Sequence, residues 1–281
     1  MSESPTRSTR AFETRIIVKH SPDTLVHTMS HAYINAELLE RHLAQFRLRA
    51  HVVNQTGSTN DDLKTAARQN DIRQPTLLVA ERQTAGRGTR GKPWLSRHKA
   101  LFFSLALPAA TSDFDWQNLP LTCGMACVCA SRHIGRPLSL KWPNDLWYQN
   151  GKTGGILCER VQDTAIIGIG INLEPPPLAL TTQGWRVTAY DPRGELDVQL
   201  LLEKIVEALL TPIPSVLLSA YWPQTDVLYR RPVMLTRPDG ECFVGISYGI
   251  DPHGAYLIET MQGARLRFTD GSLSAYNGQD S

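Results

Sequence analysis

The chain has 281 residues, of which 42% are hydrophobic and 20% charged, and its 29 basic and 27 acidic side chains leave a net charge of +2. That length can bury one large core and a smaller one, and the composition is that of a soluble globular protein. Charge this close to balance excludes the strongly basic character of a nucleic-acid binder, so bulk electrostatics names no partner.

In chain order, residues 1 to 30 open with a stretch rich in Ser, Thr and Arg that Glu3 and Glu13 interrupt, which predicts a poorly ordered terminus rather than a transit peptide. Residues 32–46, AYINAELLERHLAQF, set Leu38, Leu39, His42, Leu43 and Phe46 on one side at helical spacing, so a short helix is expected. AHVVNQTGSTNDDLKTAARQ reads as a strand ending near Gln55, a turn at Gly57 and a helix that Ser58 or Thr59 caps, with Asp61 and Asp62 near its positive end. TLLVAER (76–82) and ALFFSLAL (100–107) are strand-length apolar runs flanking a glycine- and arginine-rich segment without hydrophobic periodicity, which is therefore a loop. Residues 119–135 are apolar enough for a buried helix, LSLKW (138–142) is a strand, and GGILCER and TAIIGIGINL supply two more. After the interruption at Glu174 and Pro175 to Pro177, ELDVQLLLEKIVEALL (195–210) carries the apolar stripe of a docking helix. The pattern is α+β, with a mixed or mostly antiparallel sheet packed with helices over residues 31–228. From Arg231 the texture changes to short alternating runs, RPVMLT, ECFVGISYGI, GAYLIET and ARLRFTD, punctuated by PDG, DPHG and QGA turns. Residues 229–281 are thus expected to form a small five-stranded barrel.

The five cysteines are odd in number, and Cys123, Cys127 and Cys129 sit in the apolar stretch, which indicates buried structural thiols in a reducing compartment. No second ligand pair follows at zinc spacing, so no permanent metal site is expected. No apolar run is long enough to span a membrane and the N-terminus lacks the apolar core of a secretion signal, which predicts a cytoplasmic protein.

Three segments carry chemistry. AERQTAGRGTRGKPW (80–94) matches two phosphate motifs by letter. Gly86, Gly88 and Gly91 spell GxGxxG, but Pro93 and Trp94 follow where a dinucleotide fold needs a helix, and GxxxxGK ends in Pro93 where a P-loop needs Ser or Thr. What remains is a loop whose glycines let the backbone approach a ligand while Arg87, Arg90 and Lys92 bring three positive charges, which suits a polyanion. LKWPNDLWYQNGKTGGIL places Lys141, Asn144, Asp145 and Lys152 on two strands and the tight turn between them. In IIGIGIN, Gly168 and Gly170 leave room on a sheet face, and Asn172 ends the strand with an amide able to read a heterocycle.

GSTN, AERQTAGRGTRGKPW, KWPNDLWYQNGKTGGIL and GIGIN, in that order and spacing, resemble the biotin protein ligases of the bifunctional ligase and repressor family, and the likeness runs over about residues 33 to 274. The resemblance implies a catalytic domain like that of class II aminoacyl-tRNA synthetases with a small SH3-like β-barrel behind it. It implies activation of biotin by ATP with Mg2+ to biotinyl-5'-AMP, then transfer to a lysine of a biotin carboxyl carrier domain of acetyl-CoA carboxylase, with no tightly bound prosthetic group. Ser58, Thr59 and Gln83 would contact the ureido ring, Gly168 and Gly170 would shape its pocket, Trp94 would cover the tail, and Asn60, Gly86, Thr89 and Gly155 would also belong to the biotin site. Arg87, Arg90 and Lys92 would hold the carboxylate and phosphates, Lys152 would sit at the reacting groups, Asn144 and Asn172 would bind the nucleotide, and Trp185 would stack on adenine. The chemistry asks for such groups independently: a carboxylate attacking an anionic α-phosphate needs lysine, arginine and magnesium to offset repulsion, so Lys152, Lys141 and Arg87 are catalytic candidates. The amine that attacks the mixed anhydride must be neutral, and a carboxylate such as Asp145 can position it and take up its proton.

The loop departs from the family's GRGRRGR at Thr89 and Lys92, and Ser274 replaces the arginine that ends a C-terminal SLR. Thr89 implies weaker retention of the adenylate, and Lys92 keeps charge without the planar fork of arginine. Only about 30 residues precede the first matching segment, too few for a winged helix-turn-helix, so specific DNA binding is not expected. Family members pair through sheet edges, which leaves a homodimer open. Two rival readings stand beside this one: a lipoate or octanoate ligase of the same superfamily, and a non-catalytic biotin-sensing protein.

Overall fold

In a computed structural model, residues 34–94, 99–109, 115–174, 186–211 and 213–276 are described. Among them are α1 (Ala36–His42), β1 (Arg49–Thr56), α2 (Thr59–Arg68), β2 (Thr76–Gln83), β3 (Ala100–Pro108), α3 (Leu119–His133), β4 (Ser139–Lys141), β5 (Asp145–Tyr148), β6 (Gly151–Val161) and β7 (Thr164–Asn172). They are followed by α4 (Val198–Leu210), α5 (Leu218–Tyr221) and β8 (Pro232–Thr236), β9 (Cys242–Ile250), β10 (Tyr256–Glu259), β11 (Arg265–Phe268) and β12 (Ser272–Ala275). A seven-stranded sheet has the order β1-β2-β3-β7-β6-β5-β4 and a five-stranded sheet the order β11-β10-β9-β8-β12. The first is mixed, since β1 and β2 run parallel and β2 and β3 antiparallel; the pairings in the second are antiparallel. The α+β expectation is met at this level. The expectation for residues 1–30 lies outside the described residues.

The chain divides into two compact units, one of residues 1–96, 101–113 and 158–168 and one of 97–100, 114–157 and 169–281. In the first, Leu63, Ala66, Ala67 and Ile72 of the α2 region bury against Leu78, Ala106, Val161 and Ile166. The helix starts where expected, because Ser58, in extended backbone, caps it by accepting from Asp61 N. The helix expected over 32–46 is shorter: α1 ends at His42, and a 3-10 turn over Ala44–Phe46 closes on Arg47 at φ 53.

In the second unit α3 is buried along most of its length, as its apolar composition requires, and packs against α4, whose N-terminus Asp197 caps by accepting from Leu200 N. Cys123 and Cys127 are buried on α3, and none of the five cysteines forms a disulfide. The segment from Lys141 to Lys152, expected as two strands and one turn, holds three strands: Asn144 lies in a turn after β4 and Asp145 opens a short strand, β5, ahead of β6. Both Leu146 and Trp147 are buried and the ladder to β6 shifts register between them, so no alternation announces this strand. Five C-terminal strands are observed: β8 to β11 fall on the four runs named from the sequence, and the fifth is β12 at Ser272–Ala275. Among the described residues no helix is long and apolar enough to cross a membrane, and no group of three or more His, Cys, Asp and Glu side chains is placed to hold a metal ion.

Candidate active site

In the first unit Thr59, Asn60 and Gln83, three of the residues expected to bind biotin, share one polar network, while the Ser58 hydroxyl caps α2. Gln83, at the end of β2, accepts through Oε1 from Thr59 N (2.8 Å) and lies 3.2 Å from Thr59 Oγ1. Ser104, fully buried on β3, sets its hydroxyl 2.6 Å from Thr59 Oγ1 and 2.5 Å from Asn60 Oδ1. Asn60 Nδ2 then donates to Glu159 Oε2 (2.9 Å), whose other oxygen accepts from Lys64 Nζ (2.6 Å). Gly168 makes room for this amide: a Cβ there would stand 2.2 Å from Asn60 Oδ1. The space at Gly168 is therefore filled by Asn60, and the pair together shapes that sheet face.

The glycine-rich loop closes on itself. Trp94 N donates to Gly86 O (2.8 Å), Gly88 N to Lys92 O (2.8 Å) and Lys92 N to Thr89 O (3.3 Å), while Arg90 takes the left-handed region at φ 58. A Cβ on Gly86 would meet Gln83 Nε2 at 3.2 Å and Trp94 O at 3.3 Å, so a glycine lets β2 and the loop approach closely. Arg87 pairs with Asp61 and sits 3.6 Å from Glu159, while Lys64 also reaches Asp61 (2.8 Å). Burial alone would raise the Asp61 pKa, but Lys64 and Arg87 outweigh it and hold this carboxyl below the usual range. Two carboxylates thus balance Lys64 and Arg87. The buried Nε1 of Trp94 has no hydrogen-bond partner among the described residues.

In the second unit Asp145 stands between two ammonium groups: Lys152 Nζ donates to Oδ1 at 2.5 Å and Lys141 Nζ to Oδ2 at 3.1 Å. Lys141 is 4% exposed, Asp145 is mostly buried and Lys152 is more open. Burial would push the Asp145 pKa up, yet the Lys152 and Lys141 charges prevail and keep it low, so the carboxylate is ionised at neutral pH. Asn144 is fixed by Nδ2 donating to Ile156 O (2.8 Å), and Gly155 faces Asp145 across the ladder. Gly154 lets β6 approach Gly170, whose carbonyl oxygen would lie 2.6 Å from a Cβ on it. The backbone at Lys152 is held by residues 186–188, with Lys152 N donating to Arg186 O (2.9 Å) and Thr188 N to Lys152 O (2.8 Å). Asn172 is buried at the end of β7, where its carbonyl accepts from Tyr190 N (2.7 Å). Lys141, Asn144, Asp145, Leu121, Ile156 and Trp222 line a narrow cleft. Ser274 lies on β12 with its hydroxyl 3.4 Å from Met234 O, and Trp185 falls outside the described residues.

Sequence reasoning missed Ser104, Lys64 and Glu159, and also Asp226, buried beside β4. Ser104 carried a weak signal, being the one polar residue of the apolar run ALFFSLALP.

Residues 52–173 match the model of the biotin/lipoate A/B protein ligase family. A biotin–[acetyl-CoA-carboxylase] ligase of Mycobacterium tuberculosis is 31% identical over 219 residues, covering 74% of this chain and 82% of that protein. The bifunctional ligase/repressor BirA of Escherichia coli is 33% identical over 204 residues, 67% of this chain and 63% of BirA. The biotin protein ligase of Aquifex aeolicus, solved in complex with biotin and ATP, superposes with a TM-score of 0.66 at 28% identity, covering 81% of this chain and 99% of that one. By this extent of likeness the chain belongs to the biotin/lipoate A/B protein ligase family.

Proposed function

We propose that the chain is an ATP-dependent biotin protein ligase, which forms biotinyl-5'-AMP from biotin and MgATP and passes the biotin to a lysine of the biotin carboxyl carrier domain of acetyl-CoA carboxylase. The observation that carries this reading is the buried Asp145 carboxylate held between Lys141 and Lys152. The biotin carboxylate attacks the α-phosphate, and pyrophosphate leaves. Lys152, the more accessible ammonium, is free to pivot from Asp145 towards the developing negative charge, a donation worth about 3 kcal/mol in such sites. Arg87, released from Asp61, neutralises the carboxylate end, and Arg90 and Lys92 add charge for the phosphates. In the second step the carrier lysine attacks the mixed anhydride. Asp145, low in pKa, orients that amine and takes up its proton while AMP departs.

In this assignment Ser58, Thr59, Asn60, Gln83, Gly86, Gly168 and Gly170 serve biotin, with Trp94 over its tail, and Asn144, Asn172 and Trp185 serve the nucleotide. Residues 31–228 act as the catalytic domain, resembling class II aminoacyl-tRNA synthetases, and 229–281 as a small SH3-like barrel; the five short antiparallel strands support the latter. The name of the matching family, which joins biotin and lipoate ligases, keeps a lipoate or octanoate ligase as the second reading.

The test is acid-dependent ATP–pyrophosphate exchange. Exchange that starts with biotin, and that Lys152→Gln lowers by about 10²-fold, is the expected result. Exchange with lipoate or octanoate but not biotin selects the second reading, and exchange with none refutes ligase activity.

A further inference from the structure

The polar network of the first unit has a direction. Lys64 Nζ donates to Glu159 Oε1 (2.6 Å), and the oxygen that faces Asn60 is the other one of this carboxylate, which only accepts. Asn60 Nδ2 must therefore donate to Glu159 Oε2 (2.9 Å), and this sets the other end of the amide, Oδ1, against the Ser104 hydroxyl at 2.5 Å. An amide oxygen also only accepts, so the single hydrogen of the Ser104 hydroxyl lies on that contact. Ser104 Oγ stands 2.6 Å from Thr59 Oγ1 as well, and with its own hydrogen committed to Asn60 it can only accept there. The hydrogen of that contact belongs to Thr59. Ser104, Thr59 and Asn60 are 0%, 3% and 4% exposed, so bulk water offers the chain no alternative partners.

A hydroxyl ordinarily donates or accepts as its neighbour requires, so a threonine alone would suit ligands of either kind. Here that choice is removed from a distance. With its hydrogen turned to Ser104, Thr59 Oγ1 can meet a ligand only through a lone pair. Gln83 is fixed in the opposite sense, because Thr59 N donates to its Oε1 (2.8 Å) and Nε2 is then the donor end of the amide. An acceptor and a donor on neighbouring side chains complement the N–H and C=O of a cyclic urea.

We propose that Glu159 is a positioning residue that sets specificity: acting through Asn60 and Ser104, it makes the Thr59 hydroxyl acceptor-only, so that the site takes a ring bearing N–H at that point and rejects one bearing oxygen there. The inference deepens the ligase reading, in which Thr59 meets the ureido ring, and rests on it. A ring oxygen would set its lone pairs against those of Thr59, and a buried polar group left so opposed rejects a ligand of the right size. Glutamine at position 159 reverses the chain. Its carbonyl oxygen would accept from Lys64 and its amide nitrogen would donate to Asn60, which would turn to donate to Ser104; the Ser104 hydrogen would pass to Thr59, whose own hydrogen could then meet a ligand.

The experiment measures by calorimetry the Kd of biotin and of its two cyclic carbamate analogues, in which one or the other ureido N–H is a ring oxygen, for the full-length wild type, Glu159→Gln and Ser104→Ala. The wild type is expected to prefer biotin to at least one isomer by about a hundredfold or more. Glu159→Gln is expected to narrow that ratio by about tenfold or more, chiefly through tighter binding of the carbamate, because Thr59 can then donate to the ring oxygen. Ser104→Ala cuts the same chain one link later and is expected to narrow the ratio in the same sense. A merely structural role for Glu159 would weaken all three ligands alike and leave the ratio where it was. An unaltered ratio in either variant therefore overturns the proposal, and if Glu159→Gln does not fold, Ser104→Ala decides alone. A wild type that binds no biotin removes the ligase reading and this inference together, whereas one that binds biotin and both carbamates alike, or whose variants keep its ratio, removes the inference only.

Discussion

Replacing Gly168 by alanine is a test of how the first unit is built. The added Cβ would lie 2.2 Å from Oδ1, 2.8 Å from Cγ and 3.0 Å from Nδ2 of Asn60, a side chain that is 4% exposed. It therefore cannot be accommodated by a small shift. If Asn60 yields, the Ser104 hydroxyl and Glu159 Oε2 each lose a partner inside the protein, at about 1–3 kcal/mol apiece. If Asn60 holds, β7 must move instead, and overpacking of this kind costs about 1–3 kcal/mol. The first route costs about 2–6 kcal/mol and the second about 1–3 kcal/mol, each kcal/mol lowering Tm by roughly 2–4 °C in a chain of this size. The assay is urea unfolding of Gly168→Ala, Asn60→Ala and the double variant. With the amide gone there is nothing for the methyl to strike, so the alanine should cost less than about 1 kcal/mol in the Asn60→Ala background. An equal cost in both backgrounds would falsify the steric account and place the strain elsewhere.

Two further outcomes are expected. His51, on β1, has its pKa pushed down to about 4, by burial first and by Arg49 second. A depressed folded-state value means that its contribution is present above the unfolded value of 6.5 and is lost as pH falls towards about 4. Across that window His51→Gln should flatten the stability profile by up to about 3 kcal/mol in chemical denaturation, and an unchanged acid slope would refute the assignment. In the glycine-rich loop Thr89→Arg should slow biotinyl-adenylate dissociation, measured by stopped-flow fluorescence; an unaltered rate would show that Thr89 does not set how long the intermediate is kept.

Local signals made much of this molecule legible. Ser58 sat where a cap was needed ahead of α2, Gly and Pro turns separated the five C-terminal strands, and the apolar length of 119–135 required the buried α3. Short-range spacing also brought Lys141, Asp145 and Lys152 onto one hairpin. What stayed hidden depends on pairing over long distances. Lys64 and Asn60 meet Glu159 from 95 and 99 residues away, and nothing near any of the three announces the partner. Asp226 read as an ordinary residue in a polar connector, because only the fold sets the connector against β4 and closes indole and phenol groups around it. Asp145 was recognised as chemistry, but its own strand was not separated from its neighbours, since a bulged four-residue strand with two adjacent buried residues lacks the alternation by which strands are found.

The indole of Trp142 carries a consequence for any attempt to trim this protein to a minimal catalyst. It is 2% exposed, and the carbonyl that receives its N–H and the ring that lies against it both come from residues beyond 250. Ending the chain at residue 228 would uncover Trp142 together with Trp222, leaving an apolar scar and a stranded acid beneath it. Such a shortened polypeptide would come out of cells as aggregate rather than as a slower enzyme.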